Sequence, residues 1–382
     1  MDPSAYTPPY DHALCAALAA QGAEVELYTS RFAHGNVVPA EGYVRRESFY
    51  RAASRVHGPR ARRAVKLAEH VPDMLRYRRA AQAADVVHFQ WLAVQHIDRH
   101  LLPRGRPLVI TAHDVLPREP RPGQRDAQRR LYECFDAIVV HSEHGRARLT
   151  GELGVDPARV HLIPHGAFAH LVTAEPGDEF AGGQSSSQRR AGRPGRQPLP
   201  SQTDRPVVLC FGLMRPYKGI DLLLEAWAGI EDAELWVVGM PRMDTAPLHA
   251  VAPPGVRFVE RFVADEDLGS YFRRADLVVL PYREIDQSGV LFTALAFGRP
   301  LLLSDVGGFP EVAATGAART FPAGNAAALH RDLVDLLGGA AAREELAEAA
   351  LAAADGAYSW RVVAERTLGL YERLIAAGTR QR

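Results

Sequence analysis

Short apolar runs rich in Val, Ile and Leu alternate along this chain with longer stretches whose apolar residues recur at helical spacing. That alternation is the rhythm of parallel α/β folds. In the first half it predicts strands at 23–30, 85–91, 107–115, 137–142 and 160–164. Helices are predicted between them, including 10–21 and 125–135, where Leu131, Cys134 and Phe135 share one face. Several strand candidates are apolar almost throughout, as expected when helices cover both faces of the sheet.

From about 173 to 205 the pattern collapses into a segment rich in Gly, Ser, Gln, Arg and Pro with almost no large apolar residues. Such a segment cannot bury enough surface to offset its ordering entropy, and it is predicted to be a disordered linker. The rhythm then restarts with strands at 206–212, 233–239, 256–263, 277–282 and 300–304, and with helices at 220–227, 266–275 and 288–297. A last amphipathic stretch, 359–377, follows an Ala-rich helix. The expectation is therefore two parallel α/β domains, 1–172 and 206–357, joined by the linker 173–205. Ligands in such folds bind at the carboxyl ends of strands, here expected in the cleft between the domains.

The opening, MDPSAYTPPYDHALCAALAAQ, runs directly into a helix. A nucleotide-type α/β domain begins with a strand that lies in mid-sheet, so the first domain lacks its first strand. A vacated central position would expose two unpaired strand edges. The expectation is that the true start lies upstream of Met1; the alternative is a domain that dispenses with the strand.

Composition narrows the classes. Of 382 residues, 47% are hydrophobic and 24% charged, and the 45 basic residues balance the 45 acidic ones, which argues against a nucleic-acid partner. Cys15, Cys134 and Cys210 are far apart in apolar surroundings and read as buried thiols of a reducing compartment. With no apolar run of about 18 residues and no basic-then-apolar leader, a cytoplasmic protein is expected. Eleven Lys or Arg residues lie within 45–79, interleaved with Phe49, Tyr50, Val65, Leu67, Met74, Leu75 and Tyr77. Such a run is more often a solvated face; the other reading is peripheral contact with an anionic membrane surface, at the inner face of the membrane.

The segment CFGLMRPYKGIDLLLEAW (210–227) carries the most chemistry. A strand ends at Gly212, a loop presents Arg215 and Lys218, and Gly219 opens a helix. Two cations beside a helix N-terminus suit a diphosphate, because the amides and the dipole favour negative charge as well. The bland reading makes Lys218 a solvated loop lysine. In PLVITAHDV a strand ends on His113 and Asp114. His113 is suited to touch a ligand or, blandly, to be satisfied by a backbone carbonyl; Asp114 reads as an N-cap or turn residue. His96 and His100 share a helix face at metal-ligand spacing, but Ile97 stands where a metalloprotease needs Glu and no third ligand suggests itself. Neither a Gly-x-Gly-x-x-Gly fingerprint nor a Walker loop is present.

The 210–227 loop resembles the donor-phosphate loop of the retaining, GT-B-fold glycosyltransferases of family 4. Three further segments fit that family in order: 133–166, ending in Ile-Pro-His-Gly; 275–312, which contains PYREIDQSGVLFTALAFGRP; and YSWRVVAERTLGLY at 358–371. The resemblance implies a GT-B fold whose terminal helix, 358–382, returns to the first domain. It implies a hexose-type sugar taken from a nucleoside-diphosphate sugar and passed, with retention and without a metal or other cofactor, to a glycan, lipid or small-molecule acceptor. Arg215 and Lys218 would hold the diphosphate and stabilise the leaving nucleotide, and His113 would position the transferring sugar. Gly212, Gln287, Ser288, Gly289 and Val290 would line the donor site, with Ser288 also an N-cap candidate. Many members carry two glutamates eight positions apart; here the second position is Thr293 and the first falls on Ile285, with Glu284 and Asp286 adjacent. Glu311, behind Gly307 and Gly308, is a further donor-site candidate. Two rival readings are a nucleotide-sugar epimerase, hydrolase or phosphorylase of the same fold, and a catalytically weak binding subunit.

Overall fold

The computed structural model describes residues 1–35, 37–92, 94–116, 122–173 and 199–380. They form two compact units, one of Met1–Gly166 with Gly356–Arg382 and one of Ala167–Asp355. The first unit thus ends six residues before the expected 172. The reason lies in local pairing: the Phe168 N–H donates to the Phe292 carbonyl (3.3 Å), so the short helix Ala169–Thr173 is tied to the second unit. The second unit closes at Asp355, two residues before the expected 357. Most of the expected linker, 174–198, lies outside the described residues. Its end, 199–205, is pinned where the Arg274 guanidinium donates to the Thr203 carbonyl (2.7 Å).

In the first unit β1 (Glu26–Ser30) and β2 (Val44–Phe49) form a two-stranded parallel sheet. A second parallel sheet runs β3 (Val87–Phe89), β4 (Leu108–Thr111), β5 (Ala137–Val140) and β6 (Val160–Leu162) in sequence order. Between the facing edges of β1 and β3 lie Met1 and Asp2. The Met1 ammonium donates to the His88 carbonyl (2.6 Å), the Gln90 N–H to the Met1 carbonyl (2.8 Å), and the Asp2 N–H to the Tyr28 carbonyl (3.1 Å). The mid-sheet slot is thus bridged by two residues, and the helix Pro8–Ala20 follows after a five-residue loop. β2 was not expected from the pattern: VRRESF has no apolar alternation, and most of it is exposed or half-buried at the sheet edge.

The second unit carries one six-stranded parallel sheet of β7 (Val207–Phe211), β8 (Glu234–Val238), β9 (Val256–Val259), β10 (Leu277–Leu280), β11 (Leu301–Ser304) and β12 (Ala318–Phe321). Its order is β12-β11-β10-β7-β8-β9. β10 and β11 are wholly buried, each apolar side chain contributing roughly 1.5–3 kcal/mol. Trp227 and Trp236 are fully buried on this framework.

The closing helix Trp360–Arg380 belongs to the first unit and packs on the helix Pro8–Ala20. Gly166 makes that docking possible: a Cβ there would lie 2.4 Å from Cε2 of Trp360. Of the thiols, Cys15 and Cys210 are buried as expected, but Cys134 is exposed. The helix beneath it ends at Tyr132, so Leu131 and Phe135 turn inward while Cys134 faces out, its thiol donating to the Arg130 carbonyl at 3.3 Å.

Candidate active site: a lysine at the sheet's switch point and a histidine cluster

In the second unit strand order reverses direction between β7 and β10, and α/β sheets bind ligands beyond the carboxyl ends of strands at such a point. The chain leaving β7 passes Gly212 and Arg215, makes one tight turn over Pro216–Lys218, and enters the helix Ile220–Ala226 through Gly219. Gly219 has φ +64°, and a Cβ there would lie 2.0 Å from the Pro281 carbonyl oxygen. Only glycine lets this turn press against the segment that follows β10.

That contact places Lys218. Its side chain is buried, its ammonium donates to the Tyr282 hydroxyl, and it sits 3.8 Å from the centre of the Tyr282 ring. The Tyr282 hydroxyl is in turn 3.4 Å from the Ser288 hydroxyl. Lys218 is therefore no solvated loop lysine. Arg215 is exposed at the head of the same turn.

Ser288 occupies the N-cap position of the helix Gly289–Ala296, yet its side chain makes no capping bond; the hydroxyl faces Tyr282 instead. Gln287 is half-buried, and its side-chain oxygen accepts from the Ser288 N–H at 3.3 Å. Val290 reaches back toward Gly212, where an added Cβ would lie 3.2 Å from its Cγ2. Gly289 is exposed at the start of the helix. Glu284 is exposed, whereas Asp286 is buried and its carbonyl accepts from the Gly308 N–H (3.2 Å). Thr293 is buried, and its hydroxyl donates to the Gly289 carbonyl at 2.9 Å. Glu311 lies half-buried in the first turn of Phe309–Ala313.

In the first unit the residues at or just beyond the carboxyl ends of β4, β5 and β6 bring His113, His141 and His165 together, and His88, in the middle of the short strand β3, lies beside them. The Tyr10 ring touches the first three at 4.6, 5.5 and 4.9 Å between ring centres. His113 stacks on Trp91 at 5.0 Å and 14°. It does not meet a backbone carbonyl; its Nε2 lies 3.1 Å from the Gln90 side chain and its Nδ1 3.3 Å from His141 Nε2. His88 is held between Thr111 (2.8 Å) and the Tyr371 hydroxyl of the closing helix (2.6 Å). Burial lowers the pKa of His88 to about 3 and of His141 to about 4, and lowers His113 and His165 as well. Sequence reasoning singled out His113 alone. The missed signal was one histidine in or just after each of four successive strands, which a parallel sheet in sequence order lays side by side. Asp114 is half-buried in a bend. Among the described residues no cluster of His, Cys, Asp or Glu could hold a metal, and His96 and His100 share the helix Gln95–Leu101 without a third partner.

The family model for Glycosyltransferase Family 4 matches residues 10–167, and that for Glycosyl transferases group 1 matches 205–338. The chain belongs to this glycosyltransferase family. It is 30% identical over 204 residues to the GDP-mannose:glycolipid 4-beta-D-mannosyltransferase of Xanthomonas campestris pv. campestris, covering 52% of this chain and 50% of that protein. The chain thus spans about half the length of that relative. Sucrose-phosphate synthase from Thermosynechococcus elongatus superposes with a TM-score of 0.72 at 20% identity, covering 96% of this chain and 93% of that one. Anabaena HepE, solved in complex with UDP-glucose, does so with a TM-score of 0.65 at 15% identity, covering 96% of each chain. The fold of this chain is the GT-B type of those structures.

Proposed function

We infer that the protein moves a hexose-type sugar from a nucleoside-diphosphate sugar to a glycan, lipid or small-molecule acceptor, with retention and without a metal. The observation that carries the donor half is Lys218, buried at the β7/β10 switch point with its ammonium on a hydroxyl. A buried ammonium held on the Tyr282 hydroxyl, with Arg215 three residues before it in the same turn, suits the developing charge of a departing diphosphate. The two cations supply the role that a divalent ion plays elsewhere, so chelators are expected to leave activity intact. His113 and its neighbours supply a neutral, aromatic surface suited to sugar hydroxyls. The names of the mannosyltransferase relative and of the UDP-glucose complex of HepE support a nucleotide-sugar donor.

The test is a thermal-shift panel of nucleoside diphosphates and nucleotide sugars, because stabilisation scales with ligand concentration over dissociation constant. The reading predicts one base and one sugar class well above the rest; no shift with any nucleotide sugar would overturn it. Retention is read from the anomeric configuration of the product. The second reading, a binding subunit of weak activity, draws on Thr293, whose hydroxyl is engaged by its own helix rather than offered to a ribose. Measured turnover of the donor found in the panel decides against it.

For the acceptor side, the reading includes peripheral contact with an anionic membrane through the helix Pro59–Ala80. Leu67, Val71 and Leu75, four residues apart, are exposed on it, with Arg60, Arg63 and Arg79 exposed along the same helix. No helix among the described residues is long and apolar enough to cross a membrane. Co-sedimentation with vesicles containing anionic lipid, lost on charge removal at Arg60, Arg62 and Arg63, is the expected result. Wild-type protein that ignores such vesicles would exclude the contact.

A further inference from the structure

The hydrogen bonds around His113 fix which of its nitrogens carries the proton. The chain starts at a group whose role is unambiguous: the Ile163 carbonyl, which can only accept. It lies 2.9 Å from His141 Nδ1, so that nitrogen bears the hydrogen. A neutral His141 then has a bare Nε2, and this atom faces His113 Nδ1 at 3.3 Å. Two lone pairs cannot face each other at that distance, so His113 Nδ1 bears a hydrogen and donates. His113 in turn is left with a bare Nε2. The Gln90 side-chain amide, 3.1 Å away and buried, must then turn its NH2 toward the ring, because oxygen and nitrogen of an amide are exchanged by a simple flip.

The opposite assignment, His113 with hydrogen on Nε2 toward the Gln90 oxygen, leaves His113 Nδ1 bare against His141. It is tenable only with an imidazolium at His141. Burial lowers the affinity of both rings for a second proton, and at His113 the neighbouring imidazoles His141, His165 and His88 lower it further. The Ile163 carbonyl pulls toward that cation but burial outweighs it, and the rings packed on His141, those of His113, His165 and Tyr10, bring no negative charge to hold it.

We propose that His141, anchored on the Ile163 carbonyl, is a positioning residue that locks His113 as the Nδ1–H tautomer and so presents His113 Nε2 as a hydrogen-bond acceptor for a hydroxyl of the bound substrate. The role of His113 toward substrate rests on the glycosyltransferase reading above; the tautomer lock does not. In this arrangement His113 accepts a hydrogen bond from the sugar and cannot act as an acid or as a donor to a developing oxyanion. A competing hydroxyl displaces only the Gln90 amide, which can rotate away.

The experiment is long-range proton–nitrogen correlation NMR on the full chain with 15N-labelled histidine, near pH 7.5. The proposal expects one ring, assigned to His113 by its disappearance in His113→Gln, to show a protonated Nδ1 and an unprotonated Nε2. A protonated Nε2 on His113, or an imidazolium, overturns the lock. With the donor found by thermal shift, His141→Leu should lower kcat/KM about tenfold, the effect of one misdirected hydrogen bond, while the melting temperature changes little. His141→Gln, whose side-chain oxygen can accept from His113, should recover most of it. Equal losses in Leu and Gln variants also overturn the proposal. If His141→Leu does not fold, the wild-type spectrum and the Gln variant still decide. An intact tautomer in a protein that turns over no nucleotide sugar would sink the functional reading and leave the lock standing.

Discussion

The two candidate half-sites are built on the same plan, side chains gathered at the carboxyl ends of parallel strands, yet they differ in charge. In the second unit a single ammonium, Lys218, is buried against Tyr282 and Ser288. In the first unit three imidazoles surround Tyr10 with His88 beside them, and burial lowers the proton affinity of all four. One environment keeps a cation where an anion can answer it; the other removes charge and offers directional acceptors and aromatic faces. Under the proposed function the first suits a diphosphate, which needs positive charge, and the second suits sugar hydroxyls, which need hydrogen bonds and flat apolar surface.

The largest expected effect breaks the charged half. Lys218→Ala should reduce turnover by a factor on the order of 10²–10³, the usual loss when a preorganised group facing developing charge is removed. A loss below about threefold would show that Lys218 is only a strut for Tyr282. Next comes the neutral half, through pH. A buried imidazole binds fewer protons folded than unfolded below its ordinary value near 6.5. Its contribution is therefore complete above that pH and is lost as pH falls toward the values near 4 and 3 of His141 and His88. Among the described residues five carboxyls that burial raises, Asp2, Asp11, Asp73, Asp265 (to about 6) and Asp332, oppose this, against six lowered imidazoles once His12 and His161 are included. Denaturant titrations should show stability dropping by on the order of 1 kcal/mol per pH unit between about pH 6 and 4. Stability that is flat or rising across that range would mean the imidazoles are not buried neutral.

Legibility in the sequence followed burial. Ten strands were visible from their Val-, Ile- and Leu-rich runs, most plainly the buried β4, β5, β7, β8, β10 and β11; β2, charged and largely exposed, and the edge strand β12, with Arg319 and Thr320 at its centre, were not. Gly219 and Lys218 were readable because a strand, a cationic loop and a helix start follow each other within a few residues. The histidine cluster was not, since its members lie 24 to 28 residues apart and only strand pairing brings them together. Cys134 was misread because a buried helix face was extended two residues past the helix end. The six-residue shift of the first domain boundary came from the packing of Ala169–Thr173 on the helices Asp265–Arg274 and Gly289–Ala296, together with the Phe168 backbone bond, which no local pattern announces.

A smaller effect sharpens the charged half. Thr293→Val should change the donor KM less than about threefold, because the hydroxyl is already spent on its own helix carbonyl and contributes about 1 kcal/mol at most. A tenfold rise would place a ribose on Thr293. The smallest is Cys134→Ser, expected to alter stability by less than about 0.5 kcal/mol because the thiol is exposed; a loss of several kcal/mol would restore the buried reading of that face.

The most direct measurement is calorimetric titration of the cognate nucleoside diphosphate, without sugar or acceptor, into wild-type protein and Lys218→Ala. A charge-assisted contact made by a buried ammonium predicts that the variant binds at least tenfold more weakly while retaining the wild-type melting temperature to within a few degrees. Equal affinity in the two proteins would contradict the claim that Lys218 at the β7/β10 switch point holds the donor's diphosphate.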